Sequence, residues 1–239
     1  MAASVCAVVV AGGCGSRFGR PGGKLLIDIA GRPLLAWTLR AFDAAERVGH
    51  IVVVCPPGFV EDVRAQVLGA WPISTPLTFA QSGAERQDST RNGMNAVPEG
   101  FDIVAVHDGA RPAIRPATID MAVDALTAGE GLDGVVCGQP AVDTLKVVDG
   151  DGRFVETPPR SKYWTVQTPQ IFWLESLRRA YAWADETGFV GTDDASLVEG
   201  MGGAVRGFAT PRDNLKVTFP EDLPLVEAVL MCQKGTGQF

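Results

Sequence analysis

The stretch Val8-Val9-Val10-Ala11-Gly12-Gly13-Cys14-Gly15-Ser16-Arg17-Phe18-Gly19-Arg20-Pro21-Gly22-Gly23-Lys24 begins as an apolar strand and then carries six glycines among its seventeen residues. Gly12, Gly13 and Gly15 permit positive φ and a close approach of backbone to ligand, so successive N–H groups can converge on one anion. Arg17 and Lys24 add positive charge. A phosphate cradle accounts for this composition, and so does a tight β-to-α turn with solvated basic side chains.

Two glycine motifs are excluded. A Walker A loop needs glycine where Phe18 stands and serine or threonine where Leu25 follows Lys24. A dinucleotide loop read from Gly13 places Phe18 at its third glycine.

Working outward, apolar runs bounded by turn residues occur at Val5 to Val10, Ile51 to Cys55, Ile103 to Val106 and Val135 to Cys137. Helical spacing lies between them, at Leu34 to Phe42 and Val60 to Leu68. This alternation argues an α/β fold with a parallel sheet flanked by helices. After Cys137, Val142 to Val148, the turn Asp149-Gly150-Asp151-Gly152 and Phe154-Val155 read as a β-hairpin. Its strands carry few apolar side chains, so the hairpin is expected to pack on something else, such as another subunit. Helical patterns return at Leu174 to Trp183 and Glu221 to Met231. The reading is a single domain over residues 1–232, with an arm at 139–160 and a flexible tail at 233–239.

The chain has 239 residues, 46% apolar and 21% charged, which is ordinary globular usage. A formal charge of −7 disfavours a nucleic-acid partner, whose backbone is bound by clustered Lys and Arg. Five widely spaced cysteines without a C-x-x-C pair suggest neither a disulfide framework nor a zinc site, and suit a reducing cytoplasm. No apolar run approaches the roughly 18 residues needed to span a bilayer, so no membrane association is expected.

Four further segments can carry chemistry. Gly83 to Asn92 opens a helix where Ser89 could read a base and Arg86 could pair with a phosphate, or which is simply a capped surface helix. Val106-His107-Asp108-Gly109-Ala110-Arg111-Pro112 follows a buried-looking strand and places Asp108 at the carboxyl end of the sheet, where ligands bind. Asp108 there suits Mg²⁺ or a ribose hydroxyl, or a structural ion pair with Arg111. His107 reads as a buried, hydrogen-bonded core residue. Gly191-Thr192-Asp193-Asp194-Ala195-Ser196 reads as a capped helix start. Asn214-Leu215-Lys216-Val217-Thr218 places a lysine in a short strand, where it needs an anionic partner.

These motifs stand in order with Asp143-Thr144-Leu145-Lys146 and Gln167-Thr168-Pro169-Gln170 between them. Together, over nearly the whole length, the chain resembles the 2-C-methyl-D-erythritol 4-phosphate cytidylyltransferases. The resemblance implies a Rossmann-like, nucleotidyltransferase-type sheet with a protruding β-hairpin arm, and transfer of CMP from CTP to a polyol phosphate with Mg²⁺ as cofactor. It implies Arg17 and Lys24 at the α-phosphate, and Lys216 and Arg160 at the polyol phosphate. Ala11, Gly12, Gly13 and Gly15 would hold the triphosphate through their backbone; Gly83 and Ser89 would read cytosine. Asp108, Thr144, Thr168 and Thr192 would contact the polyol, with Thr144 and Arg160 supplied by a partner's arm in a homodimer. Val10-Ala11-Gly12-Gly13 replaces the family's Pro-Ala-Ala-Gly, a form also found in ribitol-5-phosphate cytidylyltransferases, whereas Lys146 favours methylerythritol phosphate. A non-catalytic nucleotide-binding protein and a nicotinamide oxidoreductase are the readings from other classes.

Overall fold

A computed structural model describes residues 4–13, 18 and 23–237. A seven-stranded sheet runs through the molecule in the order β11-β7-β10-β6-β1-β4-β5. The strands are β1 (Val5–Val10), β4 (Val48–Cys55), β5 (Leu77–Gln81), β6 (Ile103–Asp108), β7 (Gly134–Pro140), β10 (Trp164–Trp173) and β11 (Val205–Ala209). β1 pairs in parallel with β4 and β6, and β4 with β5. Only β10 breaks the parallel rule, running antiparallel to both β6 and β7. The sheet is therefore mixed, mostly parallel. Trp164 to Trp173 hid this from the sequence, because its buried half and exposed half share no single period.

Alternate residues of the central strands feed two apolar layers. Val5, Ala7 and Val9 of β1 face one layer, covered by α1 (Leu34–Asp43), α4 (Pro116–Thr127) and α7 (Asp222–Gly235). Cys6 and Val8 face the other, covered by α3 (Arg86–Asn95), α5 (Leu174–Thr187) and α6 (Asp194–Gly200). Burial on both faces is why the central strands read as continuous β-branched runs rather than alternating ones. α3 lies especially close: a Cβ on Gly93 would fall 2.4 Å from Val8 Cγ1, so glycine lets the helix rest on β1 and β4. That contact places the start of α3 over the carboxyl ends of the strands.

The remaining elements refine the sequence reading. Residues 60–68 are helical as expected, a short α2 (Val60–Asp62) passing into a π-helical turn at Val63–Leu68. A small hairpin, β2 (Asp28–Ile29) and β3 (Arg32–Pro33), precedes α1. The expected arm is present as β8 (Val147–Val148) paired with β9 (Phe154–Glu156). Lys146 Nζ donates to Thr157 Oγ1 across its base at 2.7 Å.

Two expectations fail. Asn214 to Thr218 form an extended loop rather than a strand, held by Val217 N–H to Ala110 O and by the Asn214 amide. The tail does not begin at 233: α7 runs to Gly235, and buried Gln233 donates from Nε2 to Ala113 O.

Candidate active site

The carboxyl ends of β1 and β6, the start of α3 and the Asn214–Thr218 loop converge on a cleft of about 440 Å³. Gly12, Gly13, Lys24, Gly83, Ser89, Asp108 and Lys216 all line it. Hydrogen bonds to backbone carbonyls fix this convergence. Ala11 N–H reaches Val54 O, Gly109 N–H reaches Val10 O, and Lys24 Nζ donates to Val217 O. The two lysines, 192 positions apart by number (216 − 24), thus come from neighbouring segments.

The glycines behave differently from the sequence expectation. Neither Gly12 nor Gly13 adopts positive φ, whereas Gly23 does, at 75°. Gly12 is required by close approach instead: a Cβ there would meet Ser82 Cβ at 2.4 Å. Gly13 faces open space, and Ala11 with Gly12 and Gly13 borders a smaller adjoining cavity. Gly15 and Arg17 lie outside the described residues.

α3 opens with a capping box in which the side chain of Asp88 accepts from Glu85 N–H. Ser89 Oγ closes the same turn, accepting from Gly83 N–H at 3.0 Å and donating to Glu85 O at 3.1 Å. Its proton is spent, which leaves one lone pair for a ligand.

Asp108 is the electrostatic centre. Its Oδ2 lies 2.7 Å from Lys216 Nζ and 3.6 Å from Arg111 Nε, and its Oδ1 lies 3.6 Å from Arg86 Nε. Burial opposes ionisation, but Lys216, Arg86 and Arg111 together hold the carboxyl well below the usual carboxylate range. The nearest partner is Lys216, so the simple Asp108–Arg111 pair is only part of the arrangement. Arg86, considered for a phosphate, is already paired with Asp108 and, at 2.8 Å, with Asp194.

Thr168 stands behind this centre rather than in the cleft. Its hydroxyl oxygen accepts Asp108 N–H at 3.0 Å and donates to His107 Nδ1 at 3.2 Å, while His107 Nε2–H donates to Arg111 O. Thr168 lies where the pairing of β10 with β7 shifts register, between Val166 and Gln170, and Asn214 clamps this bulge by donating to Thr168 O and to Gln167 Oε1. Thr192 lines a separate hollow with Asp193 and Trp164, and Thr144 and Arg160 sit on the exposed arm, where Arg160 Nη1 donates to Val142 O.

The bond that Thr168 donates requires an unprotonated His107 Nδ1, and burial drives the His107 pKa down to about 3. The unfolded chain takes up this proton below about pH 6.5, the folded chain only near 3. Stability from His107 is therefore full above 6.5 and lost as pH falls, at up to about 1.4 kcal/mol per unit. Urea unfolding at pH 7 and pH 5 should show a loss of about 2 kcal/mol that His107→Gln largely removes; equal slopes in both proteins would contradict it.

A glycine-rich strand end, a helix start and two lysines over a mostly parallel sheet define a nucleotidyltransferase-type site. The comparisons with known proteins give the family. The family model described as 2-C-methyl-D-erythritol 4-phosphate cytidylyltransferase matches residues 5–232. The enzyme of that name from Parasynechococcus marenigrum is 41% identical over 93% of this chain and 96% of its own. That from Caldanaerobacter subterraneus is 38% identical over 95% and 99%. Among solved structures, 4-diphosphocytidyl-2C-methyl-D-erythritol synthase from Anaerococcus prevotii superimposes with a TM-score of 0.83 at 25% identity, covering 97% of this chain and 100% of that one. The cytidylyltransferase of Thermus thermophilus gives 0.72 at 31% identity, with coverage of 97% and 100%. The chain belongs to the 2-C-methyl-D-erythritol 4-phosphate cytidylyltransferase family and is an enzyme of the nucleotidyltransferase type.

Residues that the sequence did not single out also build the site. Glu85, Ala110 and Thr218 line the cleft, and Tyr181 bonds to Asp194 behind it. Cleft neighbours could be guessed from adjacency to the motifs. Tyr181 carried no signal, since its spacing within α5 is that of a core residue.

Proposed function

We propose that this cleft transfers CMP from CTP to 2-C-methyl-D-erythritol 4-phosphate, in isoprenoid synthesis, forming 4-diphosphocytidyl-2-C-methyl-D-erythritol. A phosphate oxygen of the polyol attacks the α-phosphorus, and the bond to the β-phosphate breaks to release pyrophosphate. The nucleophile is already anionic at pH 7, so alignment and charge neutralisation suffice. His107, buried and bonded at both nitrogens, suits that absence of a base. The observation that carries the reading is Lys24 and Lys216 lining one cleft beside Gly12 and Gly13.

In this reading Lys24, with Arg17, neutralises charge at the α-phosphate, and Lys216 holds the polyol phosphate. Gly12 and Gly13 offer backbone N–H groups to the triphosphate, and Gly83 with Ser89 meets cytosine. Asp108 faces the polyol, with Thr168 acting through Asp108, while Thr192 would meet it only from the separate hollow that it lines. Thr144 and Arg160 reach the site of a second copy in a homodimer. The arm supports this, since Phe154 is 71% and Val155 61% exposed on it. Free Cys6, Cys55, Cys137 and Cys232 suit a cytoplasmic setting, and among the described residues no helix is long and apolar enough to cross a membrane.

Mg²⁺ fits as an ion carried by the substrate. It prefers phosphate oxygens and water with one or two carboxylates, and Asp108, already surrounded by three cations, can offer one oxygen without forming a protein cage. When bound, it would neutralise triphosphate charge.

The test is pyrophosphate release from CTP and Mg²⁺ with methylerythritol 4-phosphate and ribitol 5-phosphate in separate reactions. Release with the first at least tenfold faster than with the second is expected. Preference for ribitol phosphate would overturn the acceptor assignment, and CTP binding without release would overturn catalysis.

A further inference from the structure

Lys216 faces a conflict. It is 2.7 Å from Asp108, yet its proposed work requires it to meet a substrate phosphate. If it turned away with nothing else present, Asp108 would be left as a half-paired buried carboxylate, at a cost of several kcal/mol. A second cation must therefore stay with Asp108.

Two cations remain: Arg111 Nε lies 3.6 Å from the Oδ2 that Lys216 leaves, and Arg86 Nε, 3.6 Å from Oδ1, covers the other oxygen from an anchor that lies deeper. Asp194, 1% exposed, forms an ion pair with Arg86, its Oδ2 2.8 Å from Nη1. Tyr181 O–H donates to Asp194 Oδ1 at 2.7 Å. Asp194 sits at the first position of α6, whose capping box with Asp193 and Ser196 fixes the backbone there. Tyr181 is 3% exposed on α5, so neither group can follow a moving guanidinium. Arg86 in turn begins α3 and lines the cleft. Charges alternate along Asp194, Arg86, Asp108 and Lys216, with a neutral hydroxyl at the buried end.

We propose that Asp194 and Tyr181 are positioning residues: they hold Arg86 against Asp108, so that Asp108 stays compensated when Lys216 swings to the polyol phosphate. The inference rests on the reading of Lys216 given above. Without Asp194, Arg86 is free to close fully on Asp108 or to leave it, and in either case the lysine's release from Asp108 is no longer balanced.

The experiment is a double-mutant cycle with Asp194→Asn and Arg86→Gln, read as kcat/KM for methylerythritol phosphate at saturating CTP. Asparagine keeps an oxygen for Tyr181 and removes only the charge. Each single variant should lose about fivefold or more, carried mainly by KM for the polyol phosphate, and the double variant should be no worse than Arg86→Gln. Tyr181→Phe should lose about threefold in the same parameter. Urea midpoints measured in parallel confirm that folded protein is compared. Losses that multiply in the double variant, or wild-type kinetics in Asp194→Asn, would overturn the proposal. Lys216→Ala separates this from its parent: full turnover there refutes the Lys216 assignment, whereas a loss there beside a multiplicative cycle refutes the positioning pair alone.

Discussion

Lys216→Ala is expected to lower turnover in pyrophosphate release at least about tenfold, or roughly 1.4 kcal/mol of transition-state stabilisation. The expectation comes from the loop that carries it. Asn214 and Val217 fasten that loop on both sides of the lysine, to the bulge of β10 and to the turn after β6. The backbone is fixed while the side chain, 37% exposed, reaches into the cleft. An ammonium held this way meets a phosphate at little cost in ordering. Removing it leaves the loop in place, so the loss should appear in catalysis with the folded state intact. Steady-state kinetics at saturating CTP, beside a urea curve on the same preparation, decides it; unchanged turnover would refute the role of Lys216. Lys216→Arg should restore only part of the rate, because a planar fork cannot replace a compact ammonium at 2.7 Å from Asp108.

The parts legible in the sequence were those whose cause is local. β1, β4 and β6 announced themselves because two-sided burial demands consecutive apolar residues, and the α6 start because Asp193 and Ser196 satisfy each other's backbone across three positions. Asp108 and Lys216 were legible as candidates, since a polar residue at a strand end and a lysine among apolar residues each need an explanation. Their pairing was not, because it joins residues 108 positions apart. Lys216's segment was misread for the same reason. Leu215 and Val217 are apolar, as in a strand, but they pack and bond as a loop on the turn after β6. β5 and β11 escaped notice because both lie at sheet edges, where partial exposure dilutes the apolar pattern. Gly12 shows a subtler limit: the sequence suggested glycine for its positive φ, but the cause is the nearness of Ser82, a contact between separate segments.

Asp108→Asn should lower folding stability by about 3–5 kcal/mol, as expected when one member of a buried ionic cluster is removed. The substitution is nearly isosteric, and the backbone N–H of residue 108 keeps its bond to Thr168 Oγ1, so the end of β6 should hold its shape. What changes is charge. Lys216, Arg86 and Arg111 would share one anion, Asp194, which touches only Arg86. Urea unfolding at pH 7 measures the loss, and an unchanged midpoint would show that Asp108 is not the electrostatic centre of the cleft. A second measurement ties the same residue to function. An anion in the cleft replaces part of the missing charge, and a ligand that binds only the folded state stabilises it by mass action. Inorganic pyrophosphate should therefore raise the midpoint of Asp108→Asn more than that of the wild type, even as turnover falls. The variant would hold the anion more tightly and use it less well, because the carboxylate that keeps Lys216 poised also limits how firmly the site grips phosphate.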